Sequence, residues 1–215
     1  GFCASIRKGN GRCFTIIGCN SGSGEHYASI DCQKKLDLMK LSELLNGLVD
    51  VTEKDSKVFA SLEISGLALD SRAVKAGDAF FALAGTKQHG LLHIDDVIAK
   101  GAKVVLFDPD DDGVRYAEKV TQIPAIPVRQ LGLMLGEFGA RFYKKPTENL
   151  TVIGITGTNG KTSCSQFLGQ ALDECGVIGT LGWGHSGVLN KTINTTPDAL
   201  TLQKIFAEFV KENKK

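Results

Sequence analysis

Gly157-Thr158-Asn159-Gly160-Lys161-Thr162 constrains this chain more than any other stretch. Residues 150–155 precede it, an apolar run rich in β-branched side chains that predicts a strand, and 163–175 come after it as a predicted helix. A strand that feeds a glycine turn and then a helix builds a phosphate cradle. The glycines let backbone N–H groups converge on phosphate oxygens, and the new helix adds unpaired N–H groups and a positive dipole end. Lys161 can reach the terminal phosphates, and the Thr162 hydroxyl can ligate Mg²⁺. The strict spacing G-x-x-x-x-G-K-[ST] is not met, since five residues separate Gly154 from Gly160 and Ile155 stands where a glycine is wanted. A chance Gly-Lys-Thr in a surface turn is the alternative, and the flanking strand and helix weigh against it. The expectation is a nucleoside triphosphate site.

The chain has 215 residues, room for one large domain or two small ones, and its 42% hydrophobic content is ordinary for a globular protein. A net charge of +1 points to neither a nucleic acid nor a membrane surface as partner. Four of the six cysteines (Cys3, Cys13, Cys19, Cys32) precede Met39. With His26 they match no zinc spacing, so they read as unrelated reduced thiols. Cys164 and Cys175 read as small buried residues on the helix after the phosphate loop.

Residues 1–38 differ from the rest of the chain, being dense in Gly, Ser, Cys and Asn. Their one compact apolar run, Phe14-Thr15-Ile16-Ile17, is too short for a signal peptide. Regular patterning begins at Met39, so 1–38 is expected to be a poorly ordered extension of unknown role. Leu41, Leu44, Leu45 and Leu48 share one helical face. The stretch 50–57 is polar, and strands are expected at 58–64 and 67–69. Asp70-Ser71-Arg72 breaks the pattern, and Lys75-Ala76-Gly77-Asp78 is a turn. The run 79–84 is continuously apolar, as in a strand buried on both faces.

A polar loop over 85–90 comes next, then a helix over 95–100 ended by Gly101, then a buried strand at 104–107. The acidic loop 108–113 lacks the spacing and terminal Glu of an EF-hand and reads as a solvated turn. Pro127 predicts an edge position for a strand at 125–128. A helix over 131–143 carries Leu131, Leu135, Phe138 and Phe142 along one side. The proline-containing stretch 144–149 is the expected domain boundary. Beyond the phosphate-loop helix, Gly176 is its stop, 177–181 a strand and 182–187 a flexible loop. A last helix is expected over 199–211, with Thr196 as N-cap, Pro197 at its first position, and Leu202, Ile205, Phe206 and Phe209 buried. Few elements come after Leu150, so the second domain reads as cut short.

Several motifs now stand in order: Leu69-Asp70-Ser71-Arg72, Gly77-Asp78-Ala79-Phe80-Phe81 with Gly85, the phosphate loop, and Asn194-Thr195-Thr196-Pro197-Asp198. Together they resemble the Mur ligases of peptidoglycan synthesis from Met39 onward. The phosphate loop alone is shared with folylpolyglutamate synthases. The Asp-Ser-Arg and Gly-Asp-x-Phe pair narrows the resemblance to MurE-like or MurF-like first domains, and the Asn-Thr-Thr-Pro-Asp run favours the MurE type. The resemblance implies an α/β chain: a small mixed-sheet UDP-binding domain at 39–145, then the start of a parallel-sheet, ATP-binding P-loop domain at 146–215. It implies a cytoplasmic, monomeric ligase that uses ATP and Mg²⁺. Such a ligase adds the third residue, diaminopimelate or lysine, to UDP-N-acetylmuramoyl-L-alanyl-D-glutamate through an acyl phosphate.

By motif position, Gly157, Thr158, Asn159, Gly160, Lys161, Thr162 and Ser163 would bind ATP, with Lys161 and Thr162 catalytic and Thr162 on Mg²⁺. Leu69 and Ser71, with Thr86, Lys87 and Gln88, would touch the UDP end of the substrate. Asn194, Thr195 and Thr196 would contact its muramoyl-peptide end. Each has a plainer reading: Ser71 as a turn cap, Lys87 as a solvated loop lysine, Thr196 as a helix cap only. His89, His93 and His185 lack a metal-ligand spacing and read as surface or structural, with His89 nearest the nucleotide loop. The family's later metal region, its carbamylated lysine and its amino-acid-binding domain have no match here. The 215 residues alone are therefore expected to lack ligase activity. A MurF-like or folate-type ligase, and a non-catalytic nucleotide-binding module, are the competing readings.

Overall fold

A computed structural model describes residues 3–7, 14–18, 38–50, 53–85, 88–172, 174–185, 188–190 and 197–212. Its elements run β1 (Cys3–Arg7), β2 (Phe14–Gly18), β3 (Met39–Lys40), α1 (Leu41–Leu45), α2 (Glu53–Ser61), β4 (Glu63–Ile64), β5 (Gly66–Ala68) and β6 (Asp78–Ala82). A 3-10 turn (Gly90–His93) leads into α3 (Ile94–Ala99), β7 (Val104–Phe107), α4 (Gly113–Ala117), β8 (Ala125–Pro127) and α5 (Leu131–Phe142). A second 3-10 turn (Pro146–Asn149) precedes β9 (Thr151–Thr156), α6 (Lys161–Ala171), β10 (Gly176–Gly179), β11 (Gly182–His185), β12 (Val188–Asn190) and α7 (Ala199–Lys211). The chain divides into two units, 32–142 and 1–31 with 143–215.

In the 32–142 unit, β5, β6, β7 and β8 form a parallel four-stranded sheet in sequence order. The apolar runs of β6 and β7 are buried along their whole length, as strands covered on both faces must be. On one face Phe80, Ala82, Val105 and Phe107 pack with Leu91 and Val97. From the other, the Phe81 ring meets Phe138 of α5 edge-on at 5.3 Å. All four apolar residues expected on one side of α5 are buried, and Pro127 sits in the edge strand β8. The Arg141 guanidinium donates to the Leu44 carbonyl at 3.1 Å, tying α5 to α1. Gly101, with φ +86°, ends α3 in the left-handed conformation.

Two sheet expectations change. The first domain was expected to hold one mixed sheet, but its four strands are all parallel and β3 and β4 form a separate antiparallel pair. The strand expected over 58–64 is mostly the end of α2, with only Glu63–Ile64 extended. Alternation would put Val58 and Ile64 on one face, yet Val58 is exposed and Ile64 fully buried. So short an apolar run fits either period, and packing decided between them.

In the other unit, β9, β2 and β10 run parallel, with β2 between the other two. The compact apolar run of 1–38 is thus a strand, and Cys3–Arg7 pairs antiparallel with β9. On the far side β10, β11 and β12 are antiparallel. The sheet expected to be parallel is therefore mixed. Along β9, Ile153 and Ile155 pack with Cys164 and Leu168 of α6, while Val152 joins the α7 cluster of Ile205, Phe206 and Phe209. One face carries α6 and the other α7, as a period of two requires.

Residues 182–185, expected as a flexible loop, are strand β11. Gly182 and Gly184 have φ of +122° and +143°, and a Cβ on Gly184 would lie 2.5 Å from the Val188 carbonyl oxygen. Close approach of β12 demands glycine at both positions, and paired glycines imitate a loop in sequence. Thr196 lies outside the described residues; the N-cap of α7 is Asp198. Its carboxylate accepts from the Thr201 N–H at 2.9 Å and the Thr201 hydroxyl at 2.6 Å. Asp answers the helix's free N–H groups with full charge.

Candidate nucleotide sites

The phosphate loop leaves β9 and enters α6 two residues earlier than expected, so Lys161 and Thr162 belong to the first helical turn. Gly157 (φ +154°) and Gly160 (φ +77°) take backbone conformations that side chains rarely adopt, which lets the loop turn back over the helix end. Lys161 is only 8% exposed. Its ammonium donates to the Gly157 carbonyl and, at 3.3 Å, to that of Thr158. Among the described residues no carboxylate pairs with it. A cation this buried and held by neutral carbonyls has unspent affinity for an anion. Thr162 is half-buried, Thr158, Asn159 and Ser163 are exposed, and within the first turns of the helix the Ser165 hydroxyl donates to the Thr162 carbonyl at 2.8 Å. These residues fit a polyphosphate. Cys175 takes no part: burial pushes its thiol up to about 11, which keeps it protonated and inert.

The second group of residues lies in the other unit, at the carboxyl ends of adjacent parallel strands, where ligands of open α/β sheets bind. Leu69 and Ser71 come after β5, and Gln88 after β6. Leu69 and Ser71 are half-buried and Gln88 is exposed. Thr86, Lys87, Asn194 and Thr195 lie outside the described residues. The turn holding Ser71 is built by its neighbours. Asp70 accepts from the Arg72 backbone N–H at 2.9 Å, and the two side chains form a bidentate pair, 2.7 Å at its shorter bond. Lys100 donates to the Ser71 carbonyl at 2.7 Å, a tie that no local pattern reveals. The Gly77-Asp78 pair is structural: buried Asp78 accepts from the Lys75 N–H at 2.9 Å, and Gly77 (φ +93°) abuts Ser65.

The Arg72 guanidinium holds the Asp70 carboxyl below the usual carboxylate range, chiefly through their side-chain hydrogen bonds. A depressed folded-state value means that the pair's contribution is present above the ordinary Asp value and is lost as pH falls through the lowered one. In a carbon-detected NMR titration, Asp70 is expected to titrate below about 3.9, the free Asp value, and Arg72→Ala to return it there. A midpoint at or above that value in the unsubstituted chain would refute the pairing in solution.

The sequence matches two family profiles, "Mur ligase family, catalytic domain" over residues 63–143 and "Mur ligase middle domain" over 155–215. The chain belongs to the Mur ligase family. Over 180 residues it is 41% identical to the UDP-N-acetylmuramoyl-L-alanyl-D-glutamate--2,6-diaminopimelate ligase of Coxiella burnetii, covering 81% of this chain and 35% of that one. Identity to the enzyme of the same name from Ectopseudomonas mendocina is 45% over 148 residues, 67% of this chain and 30% of that one. The chain thus spans about a third of the length of these relatives. A solved structure of a protein of that name superimposes with a TM-score of 0.58 at 22% identity, over 81% of this chain and 34% of that chain, a likeness of fold. No helix among the described residues is long and apolar enough to cross a membrane.

Proposed function

We propose that this chain carries the UDP-recognising and ATP-phosphate-binding parts of a MurE-type ligase. In this reading the enzyme joins an amino acid to the D-Glu carboxylate of UDP-N-acetylmuramoyl-L-alanyl-D-glutamate. The added residue is taken as 2,6-diaminopimelate, since relatives at 41% and 45% identity carry that name. The observation that carries the reading is buried Lys161 at the glycine loop, bonded to two loop carbonyls and paired with no carboxylate among the described residues. Bound ATP would supply the phosphoryl group that turns the carboxylate into an acyl phosphate open to the amine. Lys161 would exchange its loop carbonyls for β- and γ-phosphate oxygens, neutralising charge as it shifts. Backbone N–H groups of 157–163 would orient the phosphates, and the Thr162 hydroxyl would help hold Mg²⁺. Leu69, Ser71 and the 86–88 loop would seat the uridine diphosphate, and Asn194, Thr195 and Thr196 the muramoyl-peptide end.

Calorimetry tests this with Mg·ATP and UDP-N-acetylmuramoyl-dipeptide as separate titrants against the 215-residue chain. Both are expected to bind at one site each, the dipeptide more tightly than the corresponding tripeptide. No product is expected when an amino acid is added. A preference for the tripeptide would move the reading to a MurF-type ligase, and absence of Mg·ATP binding would remove the assignment of the glycine loop.

A further inference from the structure

We propose that His89 is a positioning residue for the nucleotide end of the substrate. It locks the return of the chain after β6 onto the carboxyl end of β7, and so fixes where Gln88 stands. This role rests on the proposed function, in which the β5 and β6 ends face a uridine nucleotide.

The return is tight. Ala84 and His89 bridge antiparallel, the Gly90 N–H donates to the Leu83 carbonyl at 2.9 Å, and a Cβ on Gly85 would lie 2.6 Å from the Gln88 carbonyl oxygen. His89 is 4% exposed, and both ring nitrogens are engaged. Nδ1 accepts from the Leu91 N–H at 3.1 Å, so the neutral ring carries its proton on Nε2. That N–H donates to the Asp108 carbonyl at 2.9 Å. Asp108 is the first residue after β7, and its own N–H donates to Ala82 at 3.0 Å. The ring therefore joins the 3-10 turn, the β6 return and the β7 end in one network.

The surroundings pack closely around the ring. A Cβ on Gly113 would run into the Asp108 carbonyl and come within 2.9 Å of His89 Nε2, and a Cβ on Gly90 would lie 2.8 Å from Ala82 Cα. The Tyr116 ring closes another side at 5.8 Å between centroids. Just before the anchor, the Gln88 amide donates to His93 Nε2 at 2.7 Å. The anchored backbone and that bond together orient an exposed amide at the same sheet edge as Ser71. An aliphatic residue would fill the His89 volume but would supply neither the donor for the Asp108 carbonyl nor the acceptor for the Leu91 N–H.

The test titrates UDP into the 215-residue chain and three variants, with amide-exchange protection of the buried strands β6 and β7 as the control for folding of the 32–142 unit. His89→Leu keeps volume and loses both bonds. His89→Gln keeps a donor for Asp108. Gly113→Ala pushes the Asp108 carbonyl off the ring from the opposite side. UDP affinity is expected to fall about tenfold in His89→Leu and Gly113→Ala and to recover to within about threefold in His89→Gln, with the exchange protection of β6 and β7 unchanged. Unchanged UDP affinity in His89→Leu or Gly113→Ala would overturn the proposal alone. So would equal losses in His89→Leu and His89→Gln. If His89→Leu loses the exchange protection of β6 and β7 as well, Gly113→Ala and His89→Gln decide. No UDP binding by the unsubstituted chain would overturn the underlying reading, and the proposal with it.

Discussion

Lys161→Ala is expected to raise the dissociation constant for Mg·ATP about a hundredfold, equivalent to about 2.7 kcal/mol. The size comes from where the ammonium sits. It is 8% exposed and bonded to the carbonyls of its own loop, so its charge is poorly compensated until phosphate arrives. Removing it leaves polyphosphate oxygens facing a loop with no cation, and truncating one partner of a buried, hydrogen-bonded charge pair costs about 2–5 kcal/mol. Lys161→Met, which keeps the stem, is expected to lose nearly as much, separating charge from packing. UDP binding in the same titration is expected to stay unchanged. A Mg·ATP affinity within threefold of the unsubstituted chain would contradict the placement of phosphate at this helix.

The second large effect is on stability. Phe209 of α7 is fully buried, stacks edge-on with Trp183 at 5.8 Å, and presses its ring against Gly176 of β10. A Cβ at Gly176 would lie 2.5, 2.6 and 2.8 Å from three atoms of that ring. Phe209→Ala is expected to cost about 3–5 kcal/mol. With a slope of about 2 kcal/mol per molar urea, the unfolding midpoint falls by about 2 M. Trp183, the only tryptophan in the chain, reads this unit alone by fluorescence. Gly176→Ala by itself is expected to cost about 1–3 kcal/mol through overpacking. In the Phe209→Ala background the same glycine change should be nearly neutral, because the atoms it meets are gone. Additive losses in the double variant would refute the contact.

The two effects differ in how far the sequence shows them. Lys161 is readable because its neighbours in space are its neighbours in sequence: a strand, a glycine turn and a helix start. Gly176 reads as a helix stop, and it is instead the point where Phe209 of α7, more than thirty residues later, touches the sheet. The same contrast runs through the first unit. The continuous apolar runs of β6 and β7 and the one-sided pattern of α5 reflect burial that period alone reports. The segment before Ile64 has no such period, and it went to helix where a strand is expected.

The strand, glycine turn and helix start around Lys161, the buried parallel strands, the edge position of Pro127 and the apolar face of α5 were all legible in the order of residues. Each depends on φ restriction, side-chain period or a missing N–H, and all of these act within a few residues. Only the folded chain settles that Gly182 and Gly184 lie in a strand, that Asp198 caps α7, that β2 stands between β9 and β10, and that His89 reaches across nineteen positions to Asp108. In the first and last of these, what selects the residue is a backbone carbonyl brought close by the fold, and a carbonyl looks the same at every position of a sequence.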